Sequence, residues 1–232
     1  MIKPTAPAAR ALQFIRLRMA GATIHDRMLA CLGAFVGILS AMLAAWIGGV
    51  DSTNLSLLVA PIGASAVLVF AVPSSPLAQP WSVIGGNFLS AITGLLIAMS
   101  VPEPVLALAA AVSLAILVMT FTRSLHPPGG ASALTMVIAY VTTPALVVPM
   151  LLLILLNSAG LVGVALLFHR IQGRSYPHRP LELSPETNTG SAFDQSSIRA
   201  AVLEMGDAFD VTEADLTAIF ERAAKHAQNQ KP

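Results

Sequence analysis

The sequence predicts an all-α polytopic membrane protein. About six membrane helices form two inverted three-helix repeats with broken central helices, followed by a small cytoplasmic helical hairpin. Three observations point there. Hydrophobic residues make up 55% of the 232-residue chain, charged residues 11%, and mean hydropathy is +0.74, whereas a soluble domain carries roughly 25% charged residues. The charges are segregated: between Cys31 and Phe168 the charged side chains are Asp51, Glu103 and Arg123. A short pattern also recurs inside the apolar sequence, as Pro61-Ile62-Gly63-Ala64-Ser65-Ala66 and, 67 positions later, as Pro128-Gly129-Gly130-Ala131-Ser132-Ala133.

Residues 1–28 read as a basic cytoplasmic arm. Lys3, Arg10, Arg16, Arg18 and Arg27 are too dispersed for a cleavable signal peptide, so the first span is expected to serve as an uncleaved insertion signal. Residues 11–19 form either a short interfacial helix or a solvated basic arm. The single Cys31 leaves no internal disulfide and no multi-cysteine metal site; apolar filling of the first span is its expected role. No cofactor is expected.

A spanning helix needs about 20 mostly apolar residues. Segments 29–50, 55–72, 81–100, 104–122, 126–141 and 145–169 approach that length. Turn formers separate them, among them Pro73-Ser74-Ser75-Pro76 and Pro102-Glu103-Pro104. Short connections make neighbours antiparallel, so the spans should form a compact up-and-down bundle. Basic flanks precede the first segment, and Arg170, Arg174 and Arg179 follow the last. Both ends therefore belong on the cytoplasmic side, which demands an even number of spans. Four full spans plus re-entrant segments satisfy the same rule and stand second.

The membrane domain covers 29–172, with repeats at about 29–100 and 103–169. Residues 173–196 read as a linker rich in Ser, Thr, Pro and Asn. In 197–230, Ile198, Val202, Met205 and Phe209 recur at helical spacing, as do Leu216, Ile219, Phe220 and Ala223 after a start around Thr212. Such a hairpin is too small to stand alone, so it is expected to dock onto the membrane part or a cytoplasmic partner.

With the 67-residue offset, the second span maps on the fifth and the flanking spans follow. The third span of each half carries an Asn, Asn87 and Asn157. A three-span unit ends on the opposite side from its start, so two consecutive copies must be inverted, as in many secondary transporters. Breaks at Pro61 and at Pro127-Pro128 would create helix starts near Gly63-Ala64-Ser65 and near Gly129, Gly130, Ala131 and Ser132. Helix starts present unpaired N–H groups and partial positive charge, and two of them facing each other near the midplane suit a small anion. The competing reading makes the same Gly, Ala and Ser residues a helix-packing seam. His126 could donate to an anion or pass a proton, or act as an interfacial spacer. Asn87 and Asn157 could touch substrate or bond between helices. Arg123 suits either a pore mouth or a topology anchor; His25, His169 and His178 look interfacial and are assigned no function.

Several classes are excluded or disfavoured. No basic stripe with interleaved aromatics suggests nucleic acid, and no HExxH, Walker A or GxSxG motif occurs. Ser132 with His126 is the one pair that could serve intramembrane hydrolysis, and no enzymatic activity is expected.

His126-Pro127-Pro128-Gly129-Gly130-Ala131 resembles the signature of the HPP family of integral membrane proteins. The stretch from Gly63-Ala64-Ser65-Ala66 through Ser75-Pro76-Leu77-Ala78-Gln79-Pro80 to Gly85-Gly86 is similar to that family too, over roughly Leu29 to Gly173. The family occurs in bacteria and in chloroplasts, where members are implicated in nitrite transport. The resemblance therefore implies an anion permease of the bacterial inner membrane, for nitrite in the first place. The family is usually drawn with four helices, two fewer than expected here. Some members continue into CBS nucleotide-sensing modules, whose connecting helix resembles Asp210-Val211-Thr212-Glu213-Ala214-Asp215-Leu216. The expected partners are the lipid bilayer and a small inorganic anion, with room for a second copy in a homo-oligomer. The alternative function is a membrane-embedded sensor or scaffold acting through the C-terminal helices.

Overall fold

The computed structural model describes residues 24–47, 52–179, 198–200 and 213–229. The expected arm, linker and first hairpin helix lie almost wholly outside these residues, as does Asp51. The described elements are helical throughout: α1 (Ile24–Ile47), α2 (Ser52–Ala71), α3 (Pro80–Ser100), α4 (Pro104–Phe121), α5 (Pro128–Thr142), α6 (Val147–Ile171) and α7 (Glu213–Asn229). Two 3-10 turns, Pro76–Ala78 and Pro144–Leu146, precede α3 and α6.

Prolines set most boundaries. Pro80, Pro104 and Pro128 each stand in the first turn of their helix, where a missing N–H costs nothing. Glu103 caps α4, accepting from the N–H groups of Val105 at 3.2 Å and Leu106 at 2.6 Å. α1 begins at Ile24, before the expected start at 29, because a flanking charged residue can snorkel without ending a helix.

Pro61 does not break its helix. α2 runs through it from Ser52 to Ala71, so no helix starts at Gly63. Transmembrane helices tolerate proline when side chains re-satisfy the local backbone, and here Ser65 Oγ donates to the Pro61 carbonyl at 2.8 Å. The expected pair of opposed helix starts is thereby reduced to one, at Pro128.

Among the described residues four helical segments are long and apolar enough to cross a membrane: Ile24–Ile47, Pro80–Ser100, Pro104–Phe121 and Pro144–Ile171. Pro128–Thr142 is a shorter apolar helix, and α2 runs for 20 residues. The 15 residues of α5 rise about 22 Å at 1.5 Å per residue, less than the roughly 30 Å hydrocarbon core. Each of the six expected segments is helical, and α5 is the short one.

α3 is the centre of the bundle, packed on α4, α5 and α6; α2 packs on α1, α5 and α6. The α3–α5 seam is built from small residues at four-residue spacing, Gly86, Ser90 and Gly94 facing Gly129 and Ala133. A Cβ on Gly94 would lie 2.2 Å from the Ala133 carbonyl oxygen, and one on Gly129 would lie 2.8 Å from the Gly86 oxygen. Close backbone approach is how membrane helices gain dispersion contact without a hydrophobic driving force. Gly63 differs: nothing lies within 4 Å of its virtual Cβ. On the inner face of α1, Phe70 of α2 is buried against Gly33 and Gly37 and meets Phe168 edge-on at 5.4 Å.

Two helices end alike. After α6, Gly173 takes φ +68° while the Arg174 N–H reaches the His169 carbonyl at 2.9 Å, the Schellman arrangement. After α4 the same bonds form, with Ser124 N–H on the Met119 carbonyl at 2.9 Å, but the left-handed residue is Arg123, at φ 52°. A side chain there costs roughly 1–2 kcal/mol. Arg123→Gly is accordingly expected to raise unfolding stability in detergent by about 1 kcal/mol; an unchanged or lowered melting temperature refutes this.

Candidate functional site

The loop between α2 and α3 is held by its own side chains. Ser75 Oγ accepts from the Leu77 N–H at 3.1 Å, and Ser82 Oγ donates to the Pro76 carbonyl at 2.9 Å. Gln79 Nε2 donates to the carbonyls of Pro73 at 3.0 Å and Ser75 at 2.7 Å. The segment after α6 lies over this loop: Tyr176 Oη donates to the Ala78 carbonyl at 2.8 Å and the His178 N–H to Gln79 Oε1 at 2.8 Å. Trp81 Nε1 donates to the Thr122 carbonyl at 3.0 Å, tying in the α4–α5 connection.

This scaffold leaves one carbonyl aimed at His126. Leu77 O lies 2.8 Å from His126 Nδ1. A carbonyl can only accept, so Nδ1 carries the proton and Nε2 of the neutral ring is an acceptor. Ser65 Oγ sits 2.9 Å from Nε2. It receives a hydrogen bond from Asn87 Nδ2 at 3.0 Å, and the same amide group donates to Ser158 Oγ at 3.2 Å. Asn87 Oδ1 accepts from Ser132 Oγ at 2.9 Å. One amide thus joins the serines of both motif copies. Ser65, Asn87, His126, Ser132 and Ser158 are completely buried.

Two features make the network chemically responsive. The single Ser65 hydroxyl proton has two acceptors, the Pro61 carbonyl at 2.8 Å and His126 Nε2 at 2.9 Å. A doubly protonated His126 would donate to Ser65, freeing that hydroxyl for Pro61, so a proton arriving on Nε2 reverses one bond without moving a heavy atom. In addition, Ser90 Oγ, Asn157 Nδ2 and His169 Nδ1 are among the buried polar atoms of the described residues that have no hydrogen-bond partner.

The expected site residues divide clearly. Ser65, Asn87, His126 and Ser132 come together. Asn157 is buried but stays outside the network; its neighbour Ser158 makes the contact instead. Ala64 faces outward and Gly63 is half-buried, so neither reaches the cluster. Gly129 is buried in the α3–α5 seam, and Gly130 and Ala131 are half-buried beside it. The N–H groups of Gly129 and Gly130 are not open, being spent on the carbonyls of His126 at 2.8 Å and Pro127 at 3.1 Å. Arg123 is exposed in its turn. His126 pairs with Ser65 rather than Ser132. His169 proves to be buried, not interfacial: its Nε2 lies 3.0 Å from the Val69 carbonyl, and its ring meets Phe70, Phe168 and Tyr176. Among the described residues no group of three His, Cys, Asp or Glu side chains could hold a metal ion.

Depth follows from helix geometry. Asn87 is the eighth residue of α3, roughly 10 Å along its axis. The network therefore lies about a third of the length of α3 from the end carrying Arg123.

A model of the HPP transmembrane region matches residues 19–177. The chain belongs to the HPP family. Two Dictyostelium discoideum proteins described as transmembrane proteins are similar to it, one 46% identical over 107 residues and one 43% identical over 112. These matches cover 44% and 47% of this chain but 37% and 36% of the relatives, so the chain spans well under two thirds of their length. No solved structure matches. In this HPP protein the two stretches that carry the family resemblance meet directly, through the bond between Leu77 O and His126 Nδ1.

Proposed function

We propose that this HPP protein conducts a small inorganic anion, nitrite in the first place, across the bacterial inner membrane. The observation that carries the reading is the buried, carboxylate-free cluster in which Asn87 joins Ser65 and Ser132. Hydroxyl and amide donors suit an anion, whereas a cation site would call for carboxylates or clustered carbonyls. Ser90 Oγ and Asn157 Nδ2 are further donors without partners. The single helix start at α5, its first N–H groups already engaged, moves the proposed contacts from backbone to side chains.

The inverted repeat is supported by how the helices pack. Exchanging the halves turns α1–α2 into α4–α5, α1–α6 into α4–α3, and α2–α6 into α5–α3, and each of these pairs is in contact. The α5–α6 contact is matched in the first half by α2 and α3, which meet through the Asn87–Ser65 bond. The basic flanks support a reading with both ends in the cytoplasm, on which the network lies nearer the cytoplasmic mouth, with Arg123 at the surface. No catalytic step is proposed. The second reading, signalling through the C-terminal helix, has its own observation: His178 Nε2 bonds Asp215 Oδ1 at 2.8 Å, linking α7 to the segment over the α2–α3 loop.

Reconstitution separates them. Liposomes holding the purified chain should pass nitrite faster than empty ones, and Ser65→Ala or Ser132→Ala should change that flux about tenfold, equivalent to about 1.4 kcal/mol at the barrier, while the protein remains folded. If nitrite, nitrate and chloride all cross no faster than in empty liposomes, transport is the wrong reading.

A further inference from the structure

A cavity of about 830 Å³ opens at the basic end of the bundle, and no side chain of the buried network lines it. α1, α2 and the segment after α6 enclose it. Its inner wall is apolar, formed by Ala30, Ala34, Ala66, Val67 and Phe70. Its rim carries Arg27, Arg174 and Arg179. Arg174 is engaged by Asp26, and His178, also at the rim, is engaged by Asp215. Arg27 and Arg179 are exposed and find no carboxylate among the described residues. The cavity thus joins an apolar channel running along a membrane helix to two uncompensated guanidinium groups at its mouth.

We infer that this cavity binds an anionic phospholipid, its headgroup phosphate between Arg27 and Arg179 and an acyl chain along the α1–α2 wall. Guanidinium groups match phosphate in geometry as well as charge. The volume lies within the range of small-molecule sites, and the apolar wall is wasted on a soluble anion. Basic groups at a membrane surface attract anionic lipid even without a pocket, so the proposal is distinguished by its dependence on position.

Native mass spectrometry of the full chain in detergent tests it, comparing phosphatidylglycerol with phosphatidylcholine of identical acyl chains. Phosphatidylglycerol should be retained preferentially. Arg27→Gln and Arg179→Gln should each reduce that preference about fivefold, whereas Arg170→Gln, outside the cavity, should leave it unchanged. Ala30→Trp, which fills the wall, should reduce retention of both lipids. The charge variants sit at the surface and keep the test decisive if that bulky variant fails to fold. Equal retention of the two lipids, or an equal loss in Arg170→Gln, overturns the proposal. So does equal stabilisation by glycerol phosphate at the same concentration, because a ligand without acyl chains cannot use the wall. The readout contains no anion flux, so its failure leaves the transport reading untouched.

Discussion

Asn87→Ala is expected to destabilise the protein by about 2–4 kcal/mol. The amide makes three side-chain bonds, to Ser65, Ser132 and Ser158. Side-chain hydrogen bonds between membrane helices average about 0.6 kcal/mol each, and truncation also strands buried hydroxyls at about 1–3 kcal/mol where they find no new partner. At about 2–4 °C per kcal/mol for a chain of this size, the melting temperature in detergent should fall by roughly 4–16 °C. A shift below about 2 °C would mean that the serines re-pair among themselves and that Asn87 does not hold the network together.

Gly94→Ala is expected to be nearly as damaging, for a different reason. The added methyl would stand 2.2 Å from a backbone oxygen, that of Ala133, and backbone cannot rotate away as a side chain can. The cost should reach the upper end of overpacking penalties, about 3 kcal/mol, with loss of monodisperse protein after extraction. Gly63→Ala provides the contrast. With nothing within 4 Å and a helical backbone, it should stabilise by about 0.5–1 kcal/mol and leave nitrite flux unchanged. Should Gly63→Ala abolish flux instead, Gly63 lies on the anion's path and the network alone does not define the site.

The helices were largely legible because proline and glycine punctuate them. The expected 81–100 and 104–122 differ from α3 and α4 by a single residue at one end. The expected 126–141 likewise lies within two residues of α5 at either end. The failure has a physical cause. Pro61 reads as a breaker in isolation, yet Ser65 one turn later supplies a hydroxyl to its carbonyl, and a pattern of breakers does not show which break is repaired.

The site was legible where polarity stood out against an apolar background, as at Ser65, Asn87, His126 and Ser132. The choice between Asn157 and Ser158 was not, since adjacent helical residues point about 100° apart and only packing decides which faces inward. The Leu77 carbonyl left no trace at all, because every residue has one. Its importance comes from the Ser75, Gln79 and Ser82 bonds that aim it, and those side chains were the available signal.

The glycine seam between α3 and α5 also bears on how such a molecule could open. Two backbones this close have no flexible side chains between them to absorb sliding, so the pair behaves as one rigid strut. α3 belongs to the first half of the chain and α5 to the second, so tilting the halves past each other would have to shear that strut. Opening a path to Asn87 is less costly if α2 or α6 swings away while the strut stands still. Each brings one hydroxyl to the amide, Ser65 or Ser158, and either bond can break without disturbing the seam. A spin label on the strut should stay at constant distance through a transport cycle, with the motion confined to labels on its two neighbours.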